Sequence, residues 1–438
     1  MRVFILTLAL WLGCTSVEAQ ASEIPDWLRN YNFEPPRVCD SNPAGPLDTK
    51  VLDGRCPLLV DDEIALAQHS WHPWTYPPVC IQPEKASDSK LCVFSYTKLR
   101  GEQGISLITT PDIAAGGIGI LEDPNPIWEA WARSQPLAVS EPPPYEVRDL
   151  GDRGKGVIAN RTIRRDEVVM LRYPVLVKIM DPRPWKHQDV MKLLHRAAVQ
   201  LPPKEALQMM QLAHSKGGYI VDDVINTNAF GVLINDADHS GLYLDVSVSA
   251  KPSLLCLQRL NHACKPNMFS RFSSTTLGME VVAYRDIEPG EELTFSCKSD
   301  LPLNLQSEQR QSLIQEWGFN CTCSLCASPK AATVSDRQRS RIQELLEELD
   351  RPETHTHSAI EKRVAEILDL CEKEALAAQV GDLYTIVAEV YSGIGDLDSA
   401  ARYGKRAVKE LVHYAGYDHD RTKSALLFLE NLRGKVHA

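Results

Sequence analysis

The sequence has no excess of basic residues and, beyond its first dozen positions, no long apolar run. Lys and Arg number 47 against 58 Asp and Glu, for a net charge of -11. Binding along a phosphate backbone needs a basic stripe that displaces counterions, so direct nucleic-acid binding is not expected. An acidic chain suits a basic protein or peptide substrate better. No later stretch approaches the roughly 20 apolar residues of a membrane-crossing helix, so no span is expected. Wholesale disorder is also excluded, because 44% of the residues are hydrophobic and 24% charged, enough apolar surface to build a core.

The one early apolar run, Phe4 to Leu12, follows Met1-Arg2-Val3 and leads into Val17-Glu18-Ala19-Gln20-Ala21. A basic start, an apolar stretch and small residues before a cut after Ala19 or Ala21 read as a secretory signal over residues 1–21, with a buried first helix as the alternative. Cys39, Cys56, Cys80 and Cys92 then form an even set. One or two disulfides in an oxidising compartment would use them; four free thiols in a reduced cytosol are the alternative, and the connectivity stays open. Seventeen of the 28 prolines precede residue 145, in company with Trp27, Trp71, Trp74, Trp128 and Trp131. Residues 22–144 therefore read as an accessory region of short strands and turns. It ends in the stiff run Glu141-Pro142-Pro143-Pro144, which marks a boundary.

From Tyr145 the texture changes to short β-like runs such as Val157-Ile158-Ala159 and Val168-Val169-Met170-Leu171, separated by turn residues. A helical insertion follows at about 185–215, where Val190, Leu193, Leu194, Ala197 and Ala198 recur on one helix face. Strand-like segments resume near Leu242–Val248 and Met279–Ala283, and from residue 333 to 438 the pattern is helical. Ala388, Tyr391, Ala400, Tyr403 and Ala407 around Gly393-Ile394-Gly395-Asp396 have the spacing of one tetratricopeptide-like hairpin. A single such unit more often packs on its own protein than forms a peptide-binding superhelix.

Three ordered motifs carry chemistry. Asp152-Arg153-Gly154-Lys155-Gly156-Val157 sets two glycines where backbone must pass close to something, although such a pair also occurs in ordinary turns. Leu260-Asn261-His262-Ala263-Cys264-Lys265-Pro266-Asn267 stands between Thr227-Asn228-Ala229-Phe230 and Ile287-Glu288-Pro289-Gly290-Glu291-Glu292-Leu293-Thr294. Trp317-Gly318-Phe319-Asn320-Cys321-Thr322-Cys323-Ser324-Leu325-Cys326 supplies three thiols in C-x-C-x2-C spacing. Zinc with sulfur ligands takes four in a tetrahedron, so a fourth must come from elsewhere. A buried or disulfide-bonded cysteine cluster is the alternative.

These strings, in this order, resemble the SET-domain protein-lysine methyltransferases, in particular the SMYD-like fungal branch. The resemblance covers about 145–328 closely and 333–438 loosely. It implies an α+β protein with a β-rich SET fold and pseudoknot over 145–300, a post-SET zinc-binding segment over 301–328 and a helical tail. It implies S-adenosylmethionine and zinc as cofactors, with Cys264 joining Cys321, Cys323 and Cys326 on the metal. Asn261, His262, Asn228, Lys155, Gly154 and Gly156 would contact the cofactor, and Phe319 would stack on its adenine. A protein or peptide substrate is implied, and a monomer is expected.

The chain departs from the family at one place. The motif that should close on a catalytic tyrosine reads Phe295-Ser296-Cys297, and no tyrosine follows until Tyr384. A thiol is a weak donor and acceptor. Three readings stand: loss of activity, a hydroxyl brought in from upstream by Tyr243 or Tyr284, or altered chemistry at an enlarged site. Protein-lysine methyltransferase is the leading expectation, and a secreted SET-like pseudoenzyme acting as a binding module is the alternative. The compartment follows the signal if it is genuine, and is nuclear or cytoplasmic otherwise. Asn160-Arg161-Thr162 and Asn320-Cys321-Thr322 match the glycosylation sequon, the second overlapping the cysteine cluster.

Overall fold

The computed structural model describes residues 73–83, 89–116, 143–180, 185–212, 214, 217–235, 237–244, 260–274, 276–296, 305–315 and 320–436. The expected signal segment, Cys39, Cys56, Cys297, Trp317 and Phe319 lie outside the described residues. The architecture is α+β. In chain order the described strands are β1 (Val79–Ile81), β2 (Leu91–Tyr96), β3 (Ile105–Thr109), β4 (Tyr145–Asp149), β5 (Lys155–Ala159), β6 (Val168–Arg172) and β7 (Pro174–Ile179). They are followed by β8 (Phe230–Ile234), β9 (Ala237–Tyr243), β10 (Asn261–His262), β11 (Met268–Phe272), β12 (Met279–Ala283) and β13 (Glu292–Phe295). The described helices of eight or more residues are α1 (His187–Val199), α2 (Pro203–Met210), α3 (Ile220–Asn228), α4 (Ser307–Gln315), α5 (Pro329–Leu349), α6 (His357–Lys373), α7 (Val380–Gly393), α8 (Leu397–Tyr414) and α9 (Asp420–Val436). No described helix is long and apolar enough to cross a membrane.

The chain divides into two compact units, the first made of Met1–Pro126 with Arg172–Lys251 and the second of Ile127–Leu171 with Pro252–Ala438. The first unit is built on a six-stranded sheet in the order β1-β2-β3-β7-β9-β8. Strands β2 and β3 are buried almost throughout, so their polar positions are buried too, and Ser95 and Ser106 satisfy each other across the pair at 2.8 Å. β3 runs parallel to β7, while β9 pairs antiparallel with both β7 and β8. The segment expected to be accessory thus supplies three strands to the sheet that β7, β8 and β9 complete. A disulfide joins Cys80 and Cys92, which face each other across β1 and β2. α1 packs over β1, β2 and β3; Leu193, Leu194, Ala197 and Ala198 on its inner face are buried.

The second unit holds two smaller sheets, β10-β13-β5-β4 and β11-β12-β6, and all of the C-terminal helices. Those helices start where their caps dictate: the side chains of Ser328, Thr356 and Asp396 accept from the backbone N–H groups of Ala331, Ala359 and Ser399, each satisfying a first-turn donor. Ile342, Leu345, Ile360, Ile367, Leu383, Ala388, Tyr391, Ala400 and Tyr403 form one buried core across α5 to α8. Tyr391 and Tyr403 stack with centroids 5.6 Å apart, holding α7 and α8 together as a hairpin. The helical tail is fastened to the β-rich part by α8: Tyr414 meets Phe269 of β11 at 4.9 Å. Arg271, buried and paired with buried Glu280 at 2.6 Å, donates to the His413 carbonyl. A buried pair of this kind is costly to break from one side, because the remaining charge loses its partner.

Candidate functional site

Sheet order brings three distant motifs to neighbouring strands. β13 lies between β5 and β10, antiparallel to the first and parallel to the second. Glu292 therefore faces Ile158, and Thr294 faces Asn261. The turn before β5 is closed by the Gly154 N–H on the Gly151 carbonyl and by the Leu150 N–H on the Gly154 carbonyl. Gly154 takes φ +66° with ψ −147°, a conformation only glycine adopts without strain. At Gly156 a Cβ would meet Leu150 Cδ1 at 2.3 Å, Glu292 Oε1 at 2.9 Å and Asn261 Nδ2 at 3.1 Å. That position has no room for a side chain, so glycine is required there by the packing of Leu150, Glu292 and Asn261.

Asn261 is buried on β10 and reaches across β13: its Nδ2 donates to Glu292 Oε1 at 2.8 Å and more weakly to the Lys155 carbonyl at 3.4 Å. Both acceptors claim the amide nitrogen, so Oδ1 is the end left to accept from a ligand. Glu292 also binds Arg153, Nη1 to Oε2 at 2.7 Å. Glu292 and Arg153 were not singled out from sequence; each is one charged residue among many until strand pairing sets them beside Asn261. Asn267 ties the same loop to β13, its Nδ2 donating to the Glu292 carbonyl and its Oδ1 accepting from the Thr294 N–H, both at 2.8 Å. The side chain of Lys155 is exposed. Asn228 belongs to the first unit, buried at the end of α3 with its Nδ2 donating to the Val224 carbonyl at 2.7 Å.

Tyr243 and Tyr284, the two tyrosines that could replace the missing hydroxyl, are held in different surroundings. Tyr243 is fully buried edge-on against Phe230, and burial pushes its hydroxyl pKa well up. Tyr284 packs between Phe269 and Tyr414.

Four cysteine sulfurs converge at a second place. The ligand atoms of Cys264, Cys321, Cys323 and Cys326 all lie within 4.8 Å of one another. Cys264 Sγ stands 3.9 Å from Cys321 Sγ and 3.5 Å from Cys326 Sγ; a tetrahedron with Zn–S bonds of about 2.3 Å has edges of roughly 3.8 Å. The donor set and its spacing thus fit a tetrahedral thiolate-bound metal. Backbone helps: the Cys264 N–H points to Cys323 Sγ and the Cys323 N–H to Cys321 Sγ, each at 3.5 Å. Hydrogen bonds shared among the four sulfurs leave Cys323 and Cys326 below the ordinary thiol pKa and Cys264 and Cys321 above it. His262 lies beside the group, Nε2 3.6 Å from Cys264 Sγ. Gln311 of α4 grips both backbone groups of Cys321, at 3.0 Å each; nothing in the sequence marks it for that part. Ile314 and Leu325 close the cluster on its apolar side.

Comparison with known protein families covers the first two of these motifs and stops short of Cys321, Cys323 and Cys326. Residues 154–298 match the SET domain. The chain is 25% identical over 183 residues to "Histone-lysine N-methyltransferase set5" of Schizosaccharomyces pombe, covering 41% of this chain and 57% of that protein. It is 29% identical over 132 residues to "Histone-lysine N-methyltransferase SET5" of Yarrowia lipolytica, 30% of each chain. It is 25% identical over 221 residues to human "N-lysine methyltransferase SMYD2", 44% of this chain and 46% of the relative. The chain therefore spans between about a third and somewhat over half of these relatives.

Proposed function

We propose that this chain, a SET-domain protein of the SET5 and SMYD type, is an S-adenosylmethionine-dependent protein-lysine N-methyltransferase. The observation that carries the reading is the SET match over 154–298, with Gly156 on β5 and Asn261 on β10 brought to either side of β13. The relatives' names point to histones as the first substrates to try. The SET core is assigned to 145–300, the metal segment to 301–328 and the helical tail to 333–438.

S-adenosylmethionine supplies a methyl on a positively charged sulfur; the neutral lysine amine takes it as the carbon–sulfur bond breaks and its electron pair stays on sulfur. The residues of this chain have positioning to do rather than proton transfer. The backbone at Gly154 and Gly156 lets the ligand approach the strand closely. Asn261, with its amide nitrogen engaged, offers Oδ1 to the ligand's ammonium group. His262, Asn228 and Lys155 are assigned as further contacts and Phe319 as the adenine platform. Cys297 stands at the position of the family's tyrosine, so alignment of the lysine rests on the rest of the channel. Desolvating the lysine lowers its pKa and supplies the neutral amine. Zinc is assigned to Cys264, Cys321, Cys323 and Cys326, where it would fasten the 320s loop to β10.

Calorimetry on the zinc-loaded protein tests the reading. S-adenosylmethionine should bind at one site and Asn261→Ala should weaken it at least tenfold; no heat of binding to the unmodified protein would contradict it. The histone-directed relatives support action in the nucleus or cytoplasm, whereas the Cys80–Cys92 disulfide favours a secretory route. Sequencing the mature N-terminus separates them, since loss of residues 1–21 marks the secretory case.

A further inference from the structure

Two arginines next to the four-cysteine cluster are buried more completely than their partners explain. Arg310 on α4 and Arg339 on α5 are 1% and 2% exposed. Arg310 donates through Nη1 to the Leu305 carbonyl at 2.6 Å. Its Nε and Nη2 have no hydrogen-bond partner, and the closest carboxylate oxygen, on Asp336, is 3.9 Å from Nη2. Arg339 donates through Nε to Glu374 at 3.0 Å, on the oxygen that also accepts from Ser335. The other Glu374 oxygen is 3.1 Å from Lys265 Nζ. Among the described residues, Arg310, Arg339 and the part-exposed Lys265 face Glu374 and the more distant Asp336, three cations against two carboxylates.

Their placement says what the surplus positive charge serves. Ile314, one helical turn beyond Arg310, is packed in the same cluster as Cys264 and Cys321, so Arg310 lies on the α4 face turned toward the sulfurs. Ala331 of α5 packs on that cluster as well, and Ser335 and Arg339 follow it on the same face at one-turn intervals. Lys265 is the neighbour of Cys264 in the chain. Cys264 and Arg310 both act electrostatically on Arg339, the first stabilising its charge and the second opposing it. An uncompensated guanidinium inside a protein is costly. Four thiolates around one divalent cation would carry two negative charges in excess, the sign of charge that offsets this surplus.

We propose that Arg310 and Arg339 are the charge-compensating residues of the metal centre: they stabilise the four-thiolate, metal-loaded form and so couple metal binding to the packing of α4 and α5. This rests on the zinc reading of the cysteines. Without the ion the two arginines lack the net negative charge of the loaded centre.

The test is zinc competition against a chromogenic chelator on the full chain, with thermal unfolding of metal-loaded and metal-free protein alongside. Arg310→Met keeps the volume and removes the charge. It should lower zinc affinity tenfold or more, the range expected when a neighbour of the ligands is lost. It should also leave the metal-free protein as stable or more stable, and shrink the rise in Tm that zinc produces; Arg310→Lys should recover part of the affinity. Arg310→Gln gives the same comparison if the methionine variant does not fold, and Arg339→Met, which also leaves Glu374 without its partner, is read on zinc affinity and on the zinc-induced rise in Tm alone. Zinc affinity and zinc-induced Tm rise equal to the unmodified chain in all charge-removing variants would overturn the inference. Failure of the unmodified chain to bind zinc through its cysteines would instead overturn the metal reading beneath it.

Discussion

At the scale of single residues, the site depends on which atom of Asn261 is turned outward, and Glu292 decides that. Its carboxylate takes the amide nitrogen at 2.8 Å and Arg153 at 2.7 Å. Glu292→Gln can offer its own N–H to Asn261 and turn the amide over, so S-adenosylmethionine binding should weaken about three- to tenfold. The Arg153 side chain is 48% exposed, so its ion pair is screened and the loss in stability should stay within about 1 kcal/mol. Calorimetry paired with a melting curve separates the two, and unchanged binding would remove Glu292 from the site. Asn261 and the four cysteines were legible in the sequence because each sits inside a motif of fixed spacing. Glu292 and Arg153 stand inside motif strings whose spacing gives neither of them a role, and Gln311 carries no signal. Their roles come from cross-strand and helix-to-loop contacts that spacing along the chain does not encode.

At the scale of elements, the periodic helices were readable and the sheet partners were not. The apolar positions of α1, α7 and α8 fall on one face in the sequence, and the structure buries those faces. Strands β1 to β3 lie in a stretch rich in proline and tryptophan, which says turns and short strands but not that β3 will run parallel to β7. Such a pairing is nonlocal, and no local pattern announces it. This first-unit sheet carries a pH signature. His239 of β9 bonds Thr109 of β3 at 3.0 Å, and burial lowers its pKa to about 4. Burial, then the charge of Arg196, lowers His195 of α1 to about 4 as well. Both are neutral when folded, whereas the unfolded chain takes up protons near pH 6.5. Their contribution is therefore full above about pH 6.5 and is lost as pH falls toward 4, to the order of 3 kcal/mol each. The urea midpoint should drop between pH 7.5 and 5, and His239→Gln should flatten part of that slope. A slope unaltered by the substitution would contradict neutral burial of His239.

At the scale of the whole molecule, the motif strings sufficed to expect the SET match over 154–298, while the proposed activity rests on how the chain manages with Cys297 where the resemblance leads one to expect a tyrosine. The matched region, the tightly packed Gly156 and the ordered cysteine quartet are consistent with a working methyltransferase. The direct measurement is methyl transfer from labelled S-adenosylmethionine to core histones by the purified, zinc-loaded chain, read by mass spectrometry on the modified residue, with Cys297→Tyr beside it. A lysine-borne methyl group is expected with the unmodified chain, abolished by Asn261→Ala, and faster transfer with Cys297→Tyr. Cofactor binding without transfer to any protein of a nuclear or cytoplasmic extract, by either the unmodified chain or Cys297→Tyr, would contradict it.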